Sequence, residues 1–335
     1  INQSNLEEYL KNIFGDEIFI NEIKQFKGGQ SNPTYMIATN QGDFVLRRQP
    51  PGKLLKSAHA VDREYRVITA LSQTDVPVPR TYDYCDNEDV VGTKFFLMDH
   101  VKGNIYWELI LPNLDEVARR DIYLSMNDTI SKLHNVNFEK INLGDYGKHE
   151  NYMQRQIYRW TKQYKDSETQ EIGEINELID WLPKNIPLEE ETSIVHGDFR
   201  LDNMIFDPET HQVKAILDWE LSTLGNPIAD FTYHMMSWRL PAAAKGLGML
   251  GADLKSLNIP SEDEYSELYY KKTGRNKIEN WDFYMAYNIF RLAGIAQGIV
   301  GRVRDGTASS SEAKNYEAFV PILGKIGWDI VRGIK

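Results

Sequence analysis

The sequence predicts an α+β chain of two lobes, a small strand-rich lobe over residues 1–100 and a larger helical lobe over 101–335. Three observations carry the prediction. Up to Met98 the apolar residues fall in short runs parted by Gly, Asn, Asp and Pro, the pattern of antiparallel strands. After Gly103 they recur at 3–4 spacing over long stretches, the pattern of amphipathic helices. Between Ser193 and Glu220 stand a strand, a loop and a hairpin, with Asp198, Asn203 and Asp218 where the apolar runs end or turn.

In the first lobe, Leu6, Leu10 and Ile13 place a helix over Asn5 to Phe14. Ile18 to Phe26 alternates as a strand, Lys27 to Pro33 is a turn-rich loop, Thr34 to Ala38 is the return strand and Phe44 to Arg48 the third. Gly28, Gly29, Ser31 and Asn32 make that loop a candidate phosphate cover. Glycines let backbone amides approach phosphate oxygens, and Ser31 and Asn32 can cap them. The loop matches neither G-x-G-x-x-G nor a Walker motif, and taken alone it reads as a plain hairpin. In the third strand Val45 and Arg47 share the face opposite Leu46 and Arg48. A cation from either face could hold the α/β phosphates of a nucleotide.

Ser57 to Leu71 reads as a helix capped by Ser57, with Ala60, Val67, Ile68 and Leu71 on one stripe. Glu64 falls on the same stripe. A carboxylate facing a core needs a partner, and Arg47 is available; the alternative is a Glu at the stripe's edge reaching solvent. Thr81 to Cys85 and Lys94 to Met98 complete five antiparallel strands. Cys85, the single cysteine, reads as a small core residue and excludes an intrachain disulfide.

In the second lobe, Asn113 with Glu116 reads as a capping box. It opens a helix whose stripe is Leu114, Val117, Ala118, Ile122, Met126, Ile130 and Leu133. Met153 to Tyr164 and Ile172 to Leu182 give two more helices, the latter stopped by Pro183. Gly225-Asn226-Pro227 is a turn before a helix with Asp230 near its start, where a carboxylate reads as a cap. Arg239 to Pro260 is irregular and is expected to be a movable cover over an acceptor site. Ser261 with Glu264 opens a helix closed by Gly274. Trp281 to Arg304 is a long apolar helix enclosing Arg291, read as a paired structural cation in preference to an acceptor anchor. Ala313 to Val331 is the last helical region.

A net charge of −11 argues against nucleic acid or an anionic membrane as partner. No apolar run approaches the length of a membrane span, and the polar, acidic start has no signal pattern, so a cytoplasmic protein is expected.

The chemistry is read from Asp198, Asn203 and Asp218. Phosphoryl transfer from a nucleotide needs a carboxylate to accept the proton of the attacking hydroxyl. It also needs an amide oxygen and a second carboxylate to hold Mg²⁺, because hard cations take oxygen ligands. Asp198 and Asn203 have the D-x-x-x-x-N spacing of the protein-kinase catalytic loop, and Asp218 stands where the Asp of D-F-G would stand. His196 is read as structural support for the loop, and Asp202 as a loop or substrate-side acid. Gly197 in place of the Arg of H-R-D, and the lack of an A-P-E segment, favour a small-molecule acceptor over a protein.

His196-Gly197-Asp198, Asn203 and Ile216-Leu217-Asp218-Trp219-Glu220 together resemble the aminoglycoside phosphotransferase and choline kinase-like superfamily. Pro50 to Leu55, Arg63 to Val67 and Phe290 to Ala293 resemble the kinase-like domain fused to some acyl-CoA dehydrogenases. The resemblance runs from about Phe26 to about Arg302. It implies a protein kinase-like fold that binds ATP and Mg²⁺. It favours Arg47 over Arg48 as the phosphate-holding cation, braced by Glu64, with Arg in place of the kinase Lys. It also implies backbone groups near Asp99 and Val101 on the adenine edge, Met98 lining its pocket, and Asp230 bracing the catalytic loop.

The expected activity is transfer of the γ-phosphate of ATP to a hydroxyl, with Asp198 as base. The resemblance suggests a hydroxy acid or hydroxyacyl-CoA as acceptor. An aminoglycoside or choline is the alternative, and Asp253 being the one carboxylate within Arg239 to Pro260 counts against a polycation such as an aminoglycoside. A non-catalytic nucleotide-binding module is the alternative of another class, opposed by the intact Asp198, Asn203 and Asp218.

Overall fold

The computed structural model describes all residues except 27–31, 53–58, 189–190, 243–245, 307–309 and 335. In chain order the elements are α1 (Gln3–Phe14), β1 (Ile20–Gln25), β2 (Thr34–Thr39), β3 (Gly42–Arg48), α2 (Val61–Leu71), β4 (Thr81–Cys85), α3 (Glu88–Val91) and β5 (Phe95–Asp99). Next come α4 (Glu116–Asn135), α5 (Tyr152–Ser167), α6 (Gly173–Trp181), β6 (Ser193–Val195), β7 (Met204–Phe206), β8 (Val213–Ile216) and β9 (Thr223–Gly225). The chain closes with α7 (Pro227–Met235), α8 (Glu262–Thr273), α9 (Trp281–Arg304) and α10 (Ser310–Val331). Two compact units form. The first comprises Ile1–Tyr106, Leu124–Gly144 and Arg200–Ser222; the second comprises Trp107–Tyr123, Asp145–Phe199 and Thr223–Lys335.

The first unit is built on a five-stranded antiparallel sheet ordered β1-β2-β3-β5-β4. Alternation along β3 and β5 sends Phe44, Leu46, Phe95 and Leu97 to one face, where they form a core with Leu6 and Leu10 of α1 and with Cys85. The odd-numbered face of β3 carries Arg47, which meets α2. That helix starts later than its sequence suggests. Ser57 lies outside the described residues, His59 is left-handed at φ 63°, and Ala60 occupies the cap position without a side-chain bond.

The hairpin of β7 and β8 belongs to this unit, with Met204 opposite Ile216. It is anchored at both ends of its width. Ile216 N donates to Pro77 O at 2.9 Å, and Asn104 and Phe206 exchange two backbone bonds of 2.8 Å. Gly103 permits that approach, since a Cβ there would lie 2.4 Å from Phe206 O.

In the second unit, β6 pairs with β9, a three-residue strand too short to show a period in the sequence. Helix α9 packs against α5, α7 and α10, and nearly every side chain from Phe283 to Gly301 is buried, so it is enclosed on all sides rather than along one stripe. The cap of α4 is Asp115, whose Oδ1 accepts from Ala118 N at 2.8 Å, and not Asn113. Val117 is 62% exposed and lies off the stripe assigned to it. Ser261 and Gly274 cap α8 as expected. The described part of 239–260 is tied down: Met249 N donates to Ser237 O at 2.7 Å and Asn258 Nδ2 to Glu116 O at 3.0 Å. Among the described residues no helix is long and apolar enough to cross a membrane.

Candidate active site

In the first unit one guanidinium organises the site. Arg47 Nε donates to Glu64 Oε2 at 2.7 Å, and its Nη2 donates to Asp218 Oδ1 at 2.8 Å, with Glu220 Oε2 at 3.8 Å. Strand alternation sets this geometry, because Arg47 lies opposite Thr34 on β2 and Phe96 on β5, facing Glu64 on the first turn of α2. Arg48 points to the other face, donating to Val91 O at 2.7 Å. Glu64 is 1% exposed and takes a further bond from Asn32 Nδ2 at 2.7 Å.

Burial pushes the Glu64 carboxyl up to about 7, against the pull of Arg47, and the neighbouring Asp218 and Glu220 add to the rise. Burial works against the charge of Arg47 too. Glu64, Asp218 and Glu220 outweigh it and hold the guanidinium above its ordinary value.

Asn203 closes a one-turn 3-10 helix and passes into β7; its carbonyl accepts from Leu217 N at 2.8 Å, beside Asp218. Asp218 adopts a left-handed backbone, φ 63°. Aspartate tolerates that region better than most residues, and such conformations gather at functional sites. Its side chain is 37% exposed, open to a ligand.

The second unit carries Asp198 on a loop held from beneath. Asp230 accepts His196 N through Oδ2 and Gly197 N through Oδ1, both at 2.8 Å. Asp230 is available because Asn226 caps α7, accepting from Ile228 N and Ala229 N. Gly197 turns the chain at φ 84°, a conformation that a side chain would strain. His196 is fully buried, and its Nδ1 accepts from Asp198 N at 3.2 Å. Tyr233 donates to Asp198 Oδ1 at 2.7 Å, and Arg291 Nη2 donates to Gly197 O at 2.5 Å.

Among the other residues singled out by sequence, Gly28, Gly29 and Ser31 lie outside the described residues. Asn32 is buried, its amide on Glu64 and its Oδ1 3.1 Å from His59 Nδ1. Met98 is buried opposite Val45, and Val101 is half-buried. Asp99 N already donates to Arg80 O at 2.8 Å, and its carboxylate accepts from Tyr82 at 2.5 Å. Asp202 pairs with Arg200. Sequence reasoning missed Tyr233 and Glu220. Glu220 had a signal in its place two residues after Asp218; Tyr233 had none, being one aromatic among many.

The fold is that of the phosphotransferases. The chain belongs to the phosphotransferase enzyme family, whose sequence profile matches residues 22–268. A Ralstonia eutropha protein assigned to the aminoglycoside phosphotransferases has the same fold in its crystal structure. The two align with a TM-score of 0.92 and 45% identity over 100% of this chain and 99% of that one. An aminoglycoside phosphotransferase in complex with ADP and hygromycin B shares the fold at 13% identity, with a TM-score of 0.62 over 96% of this chain and 99% of that one. Mouse acyl-CoA dehydrogenase family member 10 is 43% identical over 331 residues, 98% of this chain and 31% of that protein. The chain spans 31% to 42% of the length of the curated relatives it matches.

Proposed function

We propose that the protein is a small-molecule kinase that moves the γ-phosphoryl group of ATP to a substrate hydroxyl, with Asp198 as base. The observation that carries this reading is the Arg47 network. A cation held by a buried carboxylate on one side and by a partly open carboxylate on the other suits a triphosphate bound beside a metal.

In this reading residues 1–100 hold the nucleotide and 101–335 supply the base and the acceptor site. Asp198 orients the hydroxyl and accepts its proton as the oxygen bonds to phosphorus; ADP leaves with the electrons of the broken P–O bond. Arg47 holds the phosphates and Glu64, supported by Asn32, holds Arg47. Backbone groups near Asp99 and Val101 and the side chain of Met98 serve the base, and the loop of Gly28, Gly29 and Ser31 covers the phosphates. His196 and Asp230 keep the catalytic loop in shape.

Asn203 and Asp218 would hold Mg²⁺. Their oxygen donors suit a hard cation, and two protein ligands leave positions for phosphate and water. The ion supplies neutralisation of the charge on the transferring phosphoryl group.

A hydroxy acid or hydroxyacyl-CoA is the proposed acceptor, on the strength of the family resemblance and the shortage of carboxylates in 239–260. A screen of ATP consumption across hydroxylated metabolites, acyl-CoAs included, tests this. Consumption with an acyl-CoA and none with aminoglycosides is expected; the reverse order overturns the acceptor assignment.

A further inference from the structure

Arg291 is a buried cation in an unusual setting. It is 7% exposed in the middle of α9, and among the described residues it forms no ion pair. Its Nε has no hydrogen-bond partner. Leaving a guanidinium so placed costs free energy, so its position calls for a reason. The guanidinium lies over the Tyr233 ring at 4.4 Å and the Trp160 ring at 5.4 Å, and Nη2 donates to the carbonyl of Gly197. Burial works against its charge, while the oxygens of Tyr233, Tyr287, Tyr152 and Asp198 together outweigh that and hold it charged. The Tyr233 ring, 4% exposed, is thereby fixed between α9 and the loop, and its hydroxyl reaches Asp198 Oδ1 at 2.7 Å.

We propose that Tyr233 is a positioning residue for Asp198, set in place by Arg291. One contact fixes the loop backbone at Gly197 and the other fixes the carboxylate two atoms beyond the next Cα. A bond to one carboxylate oxygen restrains rotation about Cβ–Cγ, so the group that accepts the substrate proton is oriented before substrate arrives. This rests on the reading of Asp198 as the base.

Tyr233→Phe removes the hydroxyl and keeps the ring beneath Arg291. In crystals of this variant the Asp198 carboxylate is expected in more than one rotamer, with the backbone of residues 196–199 unmoved. A single rotamer superposing on the wild type overturns the proposal. With ATP turnover to water as the assay, kcat should fall about tenfold with KM for ATP unchanged. That fall should vanish when Tyr233→Phe is made in Asp198→Ala. Full kcat in the single variant, or an equal loss in both backgrounds, contradicts a role exerted through Asp198. If Asp198→Ala alone turns over like the wild type, the assignment of the base fails, and the rotamers of Asp198 still decide what Tyr233 does.

Discussion

Arg47 and Asp218 stand 2.8 Å apart, although 171 residues separate them in the chain. The contact joins the cation proposed to hold phosphates to the carboxylate proposed to hold the metal. On the proposed function, a bound metal–nucleotide draws Arg47 from Asp218 to phosphate while Glu64 keeps its hold on Nε. Phosphate and carboxylate present similar oxygen pairs to a guanidinium, so the exchange needs little movement.

Arg47→Met is expected to destabilise the protein by about 3 to 5 kcal/mol, because Glu64 is left buried without its ion-pair partner. Pairing the change with Glu64→Leu should recover much of the loss. Urea unfolding of the two variants checks this. A single variant within about 1 kcal/mol of wild type would show that the pair is not coupled.

Thermal unfolding should report nucleotide and metal separately. ATP with Mg²⁺ at a hundred times Kd is expected to add about 2.7 kcal/mol of stability. Asp218→Ala should lose the part of that gain that depends on Mg²⁺. An equal response to ATP with and without the ion in the wild type would count against Asn203 and Asp218 as ligands.

Two buried groups give opposite pH dependence. Burial holds His234 down to about 3 from 6.5. Between these values the unfolded chain binds a proton that the folded chain does not, so stability is lost as pH falls through that window. Glu64 is pushed up to about 7 from 4.5, so the folded chain keeps a proton that the unfolded chain has lost. Stability from that group is present at low pH and is lost as pH rises through the window. Subtracting the stability curve of His234→Gln from that of the wild type should give a difference rising with pH to about 6.5. The corresponding difference for Glu64→Gln should fall toward about 7. A flat difference in either case shows that the group does not titrate differently on folding.

Asp230→Ala leaves two buried amides, His196 N and Gly197 N, without their acceptor. At about 1–3 kcal/mol for each unsatisfied group, a loss of about 2 to 6 kcal/mol is expected. Asp230→Asn keeps one acceptor oxygen and should lose less. Hydrogen exchange at these two amides reads the effect locally; unchanged protection in the Ala variant would contradict the bracing geometry.

The five-stranded sheet and most of the helices were readable from the sequence, because each has a face that alternates or repeats against a core. What escaped had no such face. Three-residue β9 and the single turn of α3 are too short for a period, and α2 starts after a left-handed His59, with Ala60 at a cap position that has no side-chain bond. In the site, the spacing of Asp198, Asn203 and Asp218 was visible, and so was Glu64 as a carboxylate out of place on an apolar stripe. Tyr233 was not, since its contact is a hydroxyl meeting a loop 35 residues earlier.

The central claim is that Asp198 is the base of a phosphoryl transfer from bound nucleotide. Measuring phosphoester formation and ADP affinity side by side in wild type and Asp198→Ala tests it most directly. In Asp198→Ala turnover is expected to fall by about 10²- to 10⁴-fold with ADP affinity unchanged. Turnover at the wild-type rate in the variant would contradict it.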